Sequence, residues 1–333
     1  MSYISRLFSK AKKLLVTLLF FILSINLYSH SSKKLSFKDV KVIKIKTHTG
    51  KISIKQNKEK NTTEITHLLK SFSQKNCNFL IEKSHHGILT INNESKFESW
   101  ENCEIELNIT TVEKIEIEII SHQSETELFG IYEKVKVNHK EGHVFVSGKI
   151  EFAHFESKHG NININNSQIY SLYMKSQTGS INAYGNFKKV RSTNKLGDTE
   201  IHGVNGDCKA DSRSGKLKII GHIDTLTAKS QNGDIYASGL TQNSLISSRS
   251  GNIKAYYKSP PNEGKFHAHS KTGEISLHLP SQSEFRLMTK KENIKSMDFE
   301  KTNPNHSFYI KAKSRHGEVH IKKIKTDKTK NNL

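Results

Sequence analysis

Eighteen histidines, three cysteines, and 52 Lys and Arg set against 32 Asp and Glu are the reactive and charged side chains of this 333-residue chain. Metal binding is the first chemistry to test. The paired histidines are His85 with His86, His267 with His269, and His316 with His320. Residues four apart on a strand lie about 13 Å apart, too far for one ion, although a turn at Gly317 would bring His316 and His320 together. They read as surface histidines in turns, and no metal is expected. Cys77, Cys103 and Cys208 lack the CxxC spacing of zinc or redox sites. In an oxidising compartment Cys77 and Cys103 are the candidates for a disulfide. No GxSxG, HExxH or phosphate-cradling glycine loop occurs, and acids such as Asp198, Asp211, Asp234 and Glu274 are scattered. The chain therefore reads as a non-enzyme without a cofactor, a polysaccharide-acting enzyme being the remaining catalytic alternative.

The net charge is +20, carried by 46 Lys and only six Arg. Lys is a point cation, whereas planar bidentate recognition of phosphate favours Arg. Residues 1–30 hold Arg6, Lys10, Lys12 and Lys13, no acid, and the apolar run Leu14–Tyr28. A basic stretch before an apolar run shorter than the roughly 20 residues of a membrane span is the order of a secretory signal. Export to the periplasm or cell surface is expected, with segment 1–30 a signal peptide or an N-terminal anchor built on residues 14–28. The chain after residue 30 retains +16.

An internal repeat must position these charges. The unit Ser-x-x-Gly-x-Ile-x-Ala recurs as SKHGNINI, SQTGSINA, SRSGKLKI, SQNGDIYA, SRSGNIKA, SKTGEISL and SRHGEVHI. Its turn glycines are Gly160, Gly179, Gly197, Gly215, Gly233, Gly251 and Gly273, preceded by Gly142 and followed by Gly317; most gaps are 18 residues. The positions seven, five and three before each glycine, and two and four after it, are apolar or small and therefore point inward. The column three before is Ser in nearly every unit, read as a ladder bonded to the turn backbone. Eighteen residues suffice for one flattened coil but not for a four-stranded propeller blade. Each unit is expected to be two short strands joined at the glycine, with a second glycine (Gly185, Gly203, Gly221, Gly239) ending the second strand. Coils stacked about 4.8 Å apart give an all-β, single-stranded parallel β-solenoid. Cys208 falls in an inward column and reads as a small core residue.

Before the regular coils the pattern is weaker. Copies appear around Gly50 and Gly87, and TEITHLLKSFSQKNCNF between them reads as an amphipathic helix. Residues 94–127 carry ten Glu and two Lys, with CEIELNI and KIEIEII alternating as strands that present Glu outward. The expected organisation is a signal or anchor at 1–30, a smaller β-rich region at 31–104, the solenoid at 105–322 with a loop or cap inserted at 280–307, and a disordered basic tail at 323–333.

The Ser-x-x-Gly-x-Ile units, the strand KIEIEII before them and HLPSQSEFRL after them resemble the "putative adhesin" β-strand-repeat family of exported bacterial proteins. That resemblance implies a β-solenoid in the cell envelope and supplies no catalytic residue. On the residues themselves, the outward column two before each glycine holds Lys158, Lys195, Arg213, Arg249, Lys271 and Arg315, with Gln177 and Gln231 between them. Stacked coils would align these into a ridge of cations for an extended polyanion: an anionic glycan, an envelope polymer or lipid head groups. Nucleic acid is disfavoured by the export signal and by the lack of aromatics on that column. The alternative is a structural solenoid that self-associates through its ends.

Overall fold

The computed structural model describes residues 32–57, 59–72, 77–95, 103–112 and 114–324, so the signal or anchor segment lies outside the described residues. The first six strands are β1 (Lys33–Phe37), β2 (Val42–Gln56), β3 (Thr63–Phe72), β4 (Cys77–Lys83), β5 (Ile88–Ser95) and β6 (Cys103–Thr111). Seven long strands follow: β7 (Glu116–Glu141), β8 (Val144–His159), β9 (Ile162–Thr178), β10 (Ile181–Leu196), β11 (Thr199–Ser214), β12 (Leu217–Ser230) and β13 (Ile235–Ser248). The last are β14 (Ile253–Tyr257), β15 (Gly264–Ser270), β16 (Ile275–Leu279), β17 (Arg286–Leu287), β18 (Ser296–Met297), β19 (Phe308–Ser314) and β20 (Val319–Lys323).

From β7 onward each coil pairs in parallel with the next, residue against equivalent residue. Ala153 meets Leu172, Leu172 meets Val190, Val190 meets Cys208 and Cys208 meets Leu226. The five inward columns are buried along the regular coils, so a continuous core of Ile, Val, Leu and Ala runs the length of the molecule. Like residues stacked at strand spacing exclude water between coils, and each coil needs only a few of them.

The glycine corner differs from the expectation in its cause. At Gly197 the backbone has φ +123°, a region that glycine enters without a Cβ penalty. At Gly233 no positive φ is involved; a Cβ there would stand 1.8 Å from the Gly215 carbonyl oxygen of the preceding coil. Close stacking of corner on corner is the demand shared by the turn glycines. The second glycine also behaves differently from the reading as a strand end. Strand pairing runs on past it, and the chain turns through register shifts, between Tyr184 and Phe187 in one coil and between His202 and Val204 in the next. A bulge bends a strand without ending its ladder.

The N-terminal region does not contain the expected helix. Thr63–Phe72 is a strand, β3, flanked on both sides by antiparallel partners, β1 and β6. Thr63, Ile65 and His67 are buried at a period of two, and β-branched residues favour the extended chain. Gly87 is likewise not a coil corner: it closes the hairpin between β4 and β5, its amide donating to the Ser84 carbonyl. Gly50, by contrast, stacks in register with Ser124. Strand β2 pairs in parallel with β5 and β6 on one side and with β7 on the other, so it joins the N-terminal sheet to the solenoid.

Both ends of the stack are covered. The antiparallel strands β1, β3 and β4 close one end. At the other, segment 280–307 folds back so that β17 pairs with β19 and β18 with β20, while Phe285 and Phe299 pack edge to face beneath it. Strand β20 runs through Lys323, one residue into the expected tail, whose last nine residues lie outside the described ones.

Candidate functional site

Corner geometry places the candidate column. Seven of its backbone links are fixed strand pairs or corner hydrogen bonds; for example the Arg249 amide donates to the Ser230 carbonyl and the Arg315 amide to the Ser270 carbonyl. Lys158, Lys195, Arg213, Arg249, Lys271 and Arg315 therefore stand on successive rungs, with Gln177 and Gln231 interleaved, and all six cations are exposed. Among the described residues none of the six forms an ion pair with a carboxylate.

The column is one edge of a wider basic sheet face that reading a single column misses. Between Lys134 and Arg315 the outward positions eight, six, four and two before each corner lie on one parallel sheet, from β7 through β13 to β15 and β19. Beside the edge column, which also includes Lys140, these positions hold Lys175, Lys229 and Lys313; Lys136, Arg191, Lys209 and Lys311; and Lys134, Lys189 and Lys265. Seventeen cations share the face with three acids, Glu156, Asp207 and Asp211. The sheet on the other side of the corner, read one, three and five residues after it, holds four cations and five acids. Summing charge over all outward columns, rather than one, is the sequence signal that would have found the face.

The positive field acts on the groups within it. Partial burial, then the charges of Lys311 and Lys265 on the neighbouring and same strands, hold His267 below the usual imidazole range. Part of the Glu-rich segment, by contrast, is paired with Lys. Lys46 pairs with Glu94 at 2.5 Å, Lys51 with Glu127 at 2.8 Å, Lys70 with Glu106 at 3.0 Å and Lys136 with Glu118 at 2.8 Å. Hydrogen bonds from Lys70 and Lys136 hold the Glu106 and Glu118 carboxyls below their usual range. Among the described residues, Glu94, Glu106, Glu118 and Glu127 of the acidic run thus meet Lys on neighbouring rungs.

The inward Ser column satisfies itself on the corner backbone. Ser157, Ser248, Ser270 and Ser314 donate to the corner glycine carbonyl of the preceding coil at 2.8–3.3 Å. From Ser230 onward the column's hydroxyls, Ser230, Ser248, Ser270 and Ser314, accept from the N–H of their own corner glycine, as in Gly233 N–H to Ser230 Oγ at 2.8 Å. Toward the N-terminus the column continues through buried His139, Ser121, Thr47 and Asn93. The His139 imidazole bridges Ser121 Oγ (2.5 Å) and Thr126 Oγ1 (3.0 Å), and burial pushes it down to about 4. This Ser–His pair is sealed in the core and serves packing rather than nucleophilic chemistry. Burial also pushes the Cys208 thiol up to about 12.

Cys77 and Cys103 form a disulfide joining the first residue of β4 to the first of β6. Such a bond persists in oxidising compartments outside the cytosol. Among the described residues no helix is long and apolar enough to cross a membrane, and no cluster of three or more His, Cys, Asp or Glu could hold a metal.

The family model for Toastrack DUF4097 matches residues 34–322, which takes in β1 through β20 almost entirely. The chain belongs to the Toastrack DUF4097 family. Among functionally curated proteins none matches it significantly. Solved structures similar to this Toastrack chain include a "putative adhesin" from Bacteroides fragilis, at 12% identity over 89% of this chain and 99% of that one, with a TM-score of 0.32. A "putative adhesin" from Parabacteroides merdae shows 13% identity, 89% and 96% coverage and a TM-score of 0.31. A "putative lipid binding protein" from Parabacteroides distasonis shows 14% identity, the same coverage and a TM-score of 0.31. None of these scores extends a ligand or a role to the Toastrack chain, so its site must be argued from its own surface.

Proposed function

We propose that this Toastrack protein is a non-catalytic, adhesin-like solenoid of the cell envelope that binds an anionic surface ligand through its basic sheet face. The observation that carries the reading is the charge difference between two sheets of one solenoid, seventeen cations to three acids against four to five. Codon bias or solubility alone would spread Lys over both. Exposed cations about 4.8 Å apart between strands, and about 7 Å apart along each strand, make a dense lattice for polyanion attraction. The shielded disulfide and the basic–apolar start of the chain support an exported location.

The test is retention of the full chain on dextran sulfate. The triple variant Lys195→Gln, Arg213→Gln, Arg249→Gln should elute at markedly lower salt, because fewer counterions are released on binding. A control, Lys216→Gln, Lys254→Gln, Lys322→Gln, removes the same charge from the opposite sheet and should elute close to the parent. Equal elution of the two variants would show that net charge, not the face, governs retention.

A further inference from the structure

The basic face carries apolar side chains among its cations. Phe152 (47% exposed) and Leu245 (39%) project from the outward columns, and Leu196 (51%) stands at the corner beside Lys195. Tyr170 at the far edge lies edge to face with Phe152 and beneath the Lys189 ammonium, 5.9 Å from its ring centroid. A soluble anionic chain needs the cations only; apolar groups set among them offer a second kind of contact that such a chain does not use. The opposite sheet also exposes Phe129, Phe145 and Tyr184, with Lys55 over the Phe129 ring, but it carries four cations against five acids.

Cations and apolar groups interspersed on one broad surface match a lipid bilayer, which offers anionic headgroups and an apolar boundary a few ångströms beneath them. The face measures about 20 Å along the strands and roughly 40 Å across the coils, a surface rather than a cleft. Lys suits this use: a flexible stem lets each ammonium find a headgroup phosphate, where a fixed bidentate fork has no advantage. We infer that the basic sheet face is a membrane-docking surface that lies against an anionic bilayer, with Phe152, Leu196 and Leu245 entering the interface. This rests on the polyanion reading above and names its partner.

The full chain is tested with an environment-sensitive fluorophore on a single introduced thiol, Gln231→Cys on the basic face or Asp234→Cys on the opposite sheet. Cys77 and Cys103 are bonded and Cys208 is buried, so labelling is selective. Vesicles of phosphatidylglycerol and phosphatidylcholine should blue-shift the probe at 231 and shield it from an aqueous quencher, and leave the probe at 234 unmoved. Pure phosphatidylcholine should do neither. Comparing the two positions removes any contribution of residues 14–28 to vesicle attachment, which both proteins share. Phe152→Ser with Leu245→Ser should weaken the response at 231 roughly tenfold and leave dextran sulfate elution unchanged. If the probe at 231 stays unmoved while dextran sulfate still retains the protein, the partner is a soluble or cell-wall polymer and the membrane inference fails alone. If neither binds, the polyanion reading fails with it.

Discussion

His139 shows how much a single buried side chain can weigh in a thin core. Its ring sits between two hydroxyls that a neutral imidazole can serve, accepting from one and donating to the other. Protonation breaks that match inside a site closed to water. Because burial lowers the folded-state value to about 4, against about 6.5 unfolded, the neutral ring contributes fully above pH 6.5 and its contribution is lost as pH falls toward 4. The loss amounts to about 3 kcal/mol over that window. Urea unfolding between pH 7 and 4 should show stability falling with acidity, and His139→Gln should flatten the slope whatever its effect on stability at pH 7. Parallel slopes would assign the acid sensitivity to other groups, such as His67 and His278, which burial also holds low.

The corner sets the tolerance of each coil. Gly233→Ala would place a methyl group 1.8 Å from a backbone oxygen that has no side chain to swing away. The coils must separate there, costing hydrogen bonds on both sides of the corner, so a loss of about 4 kcal/mol or more is expected in denaturant unfolding. A loss under about 1 kcal/mol would mean the corner has slack. The reason for glycine here was not legible from the sequence, because a stacked approach involves a residue 18 positions away. What was legible was the periodicity: inward Ile162, Ile181, Leu217 and Ile235 share a column because each must meet its neighbour, and the alternation is read directly. Where the period failed, so did the inference. Thr63–Phe72 alternates as far as His67 before Leu68 and Leu69 interrupt the period, and it lacks the corner motif; its two antiparallel partners carry it on as a strand. The candidate column lay where stacking put it, but its three companion columns hold mixed residue types, and their common sign emerges only when the sheet is assembled.

At the scale of the molecule, the solenoid would end in unpaired strands if β1, β3 and β4 at one end and segment 280–307 at the other did not cover them. Open parallel edges recruit other chains. Replacing residues 281–306 by a short Gly-Ser linker should shift the protein toward larger species in concentration-dependent light scattering; an unchanged mass would show that β19 and β20 need no cover. End-to-end assembly, the structural alternative to ligand binding, has to displace these caps first.

The two large departures from the 18-residue spacing, residues 258–263 and segment 280–307, leave the coil at the same place, after the strand that follows the corner glycine and before the return strand. In both cases the strands on either side resume in register: β13 pairs with β14 and β15, and these with β16 and β19. The bend opposite the glycine corner is thus a port at which sequence can be added without shifting the lattice of charges on the far sheet. A loop grafted there should leave the register of the basic sheet unchanged, so this frame can vary its insertions while keeping its coils.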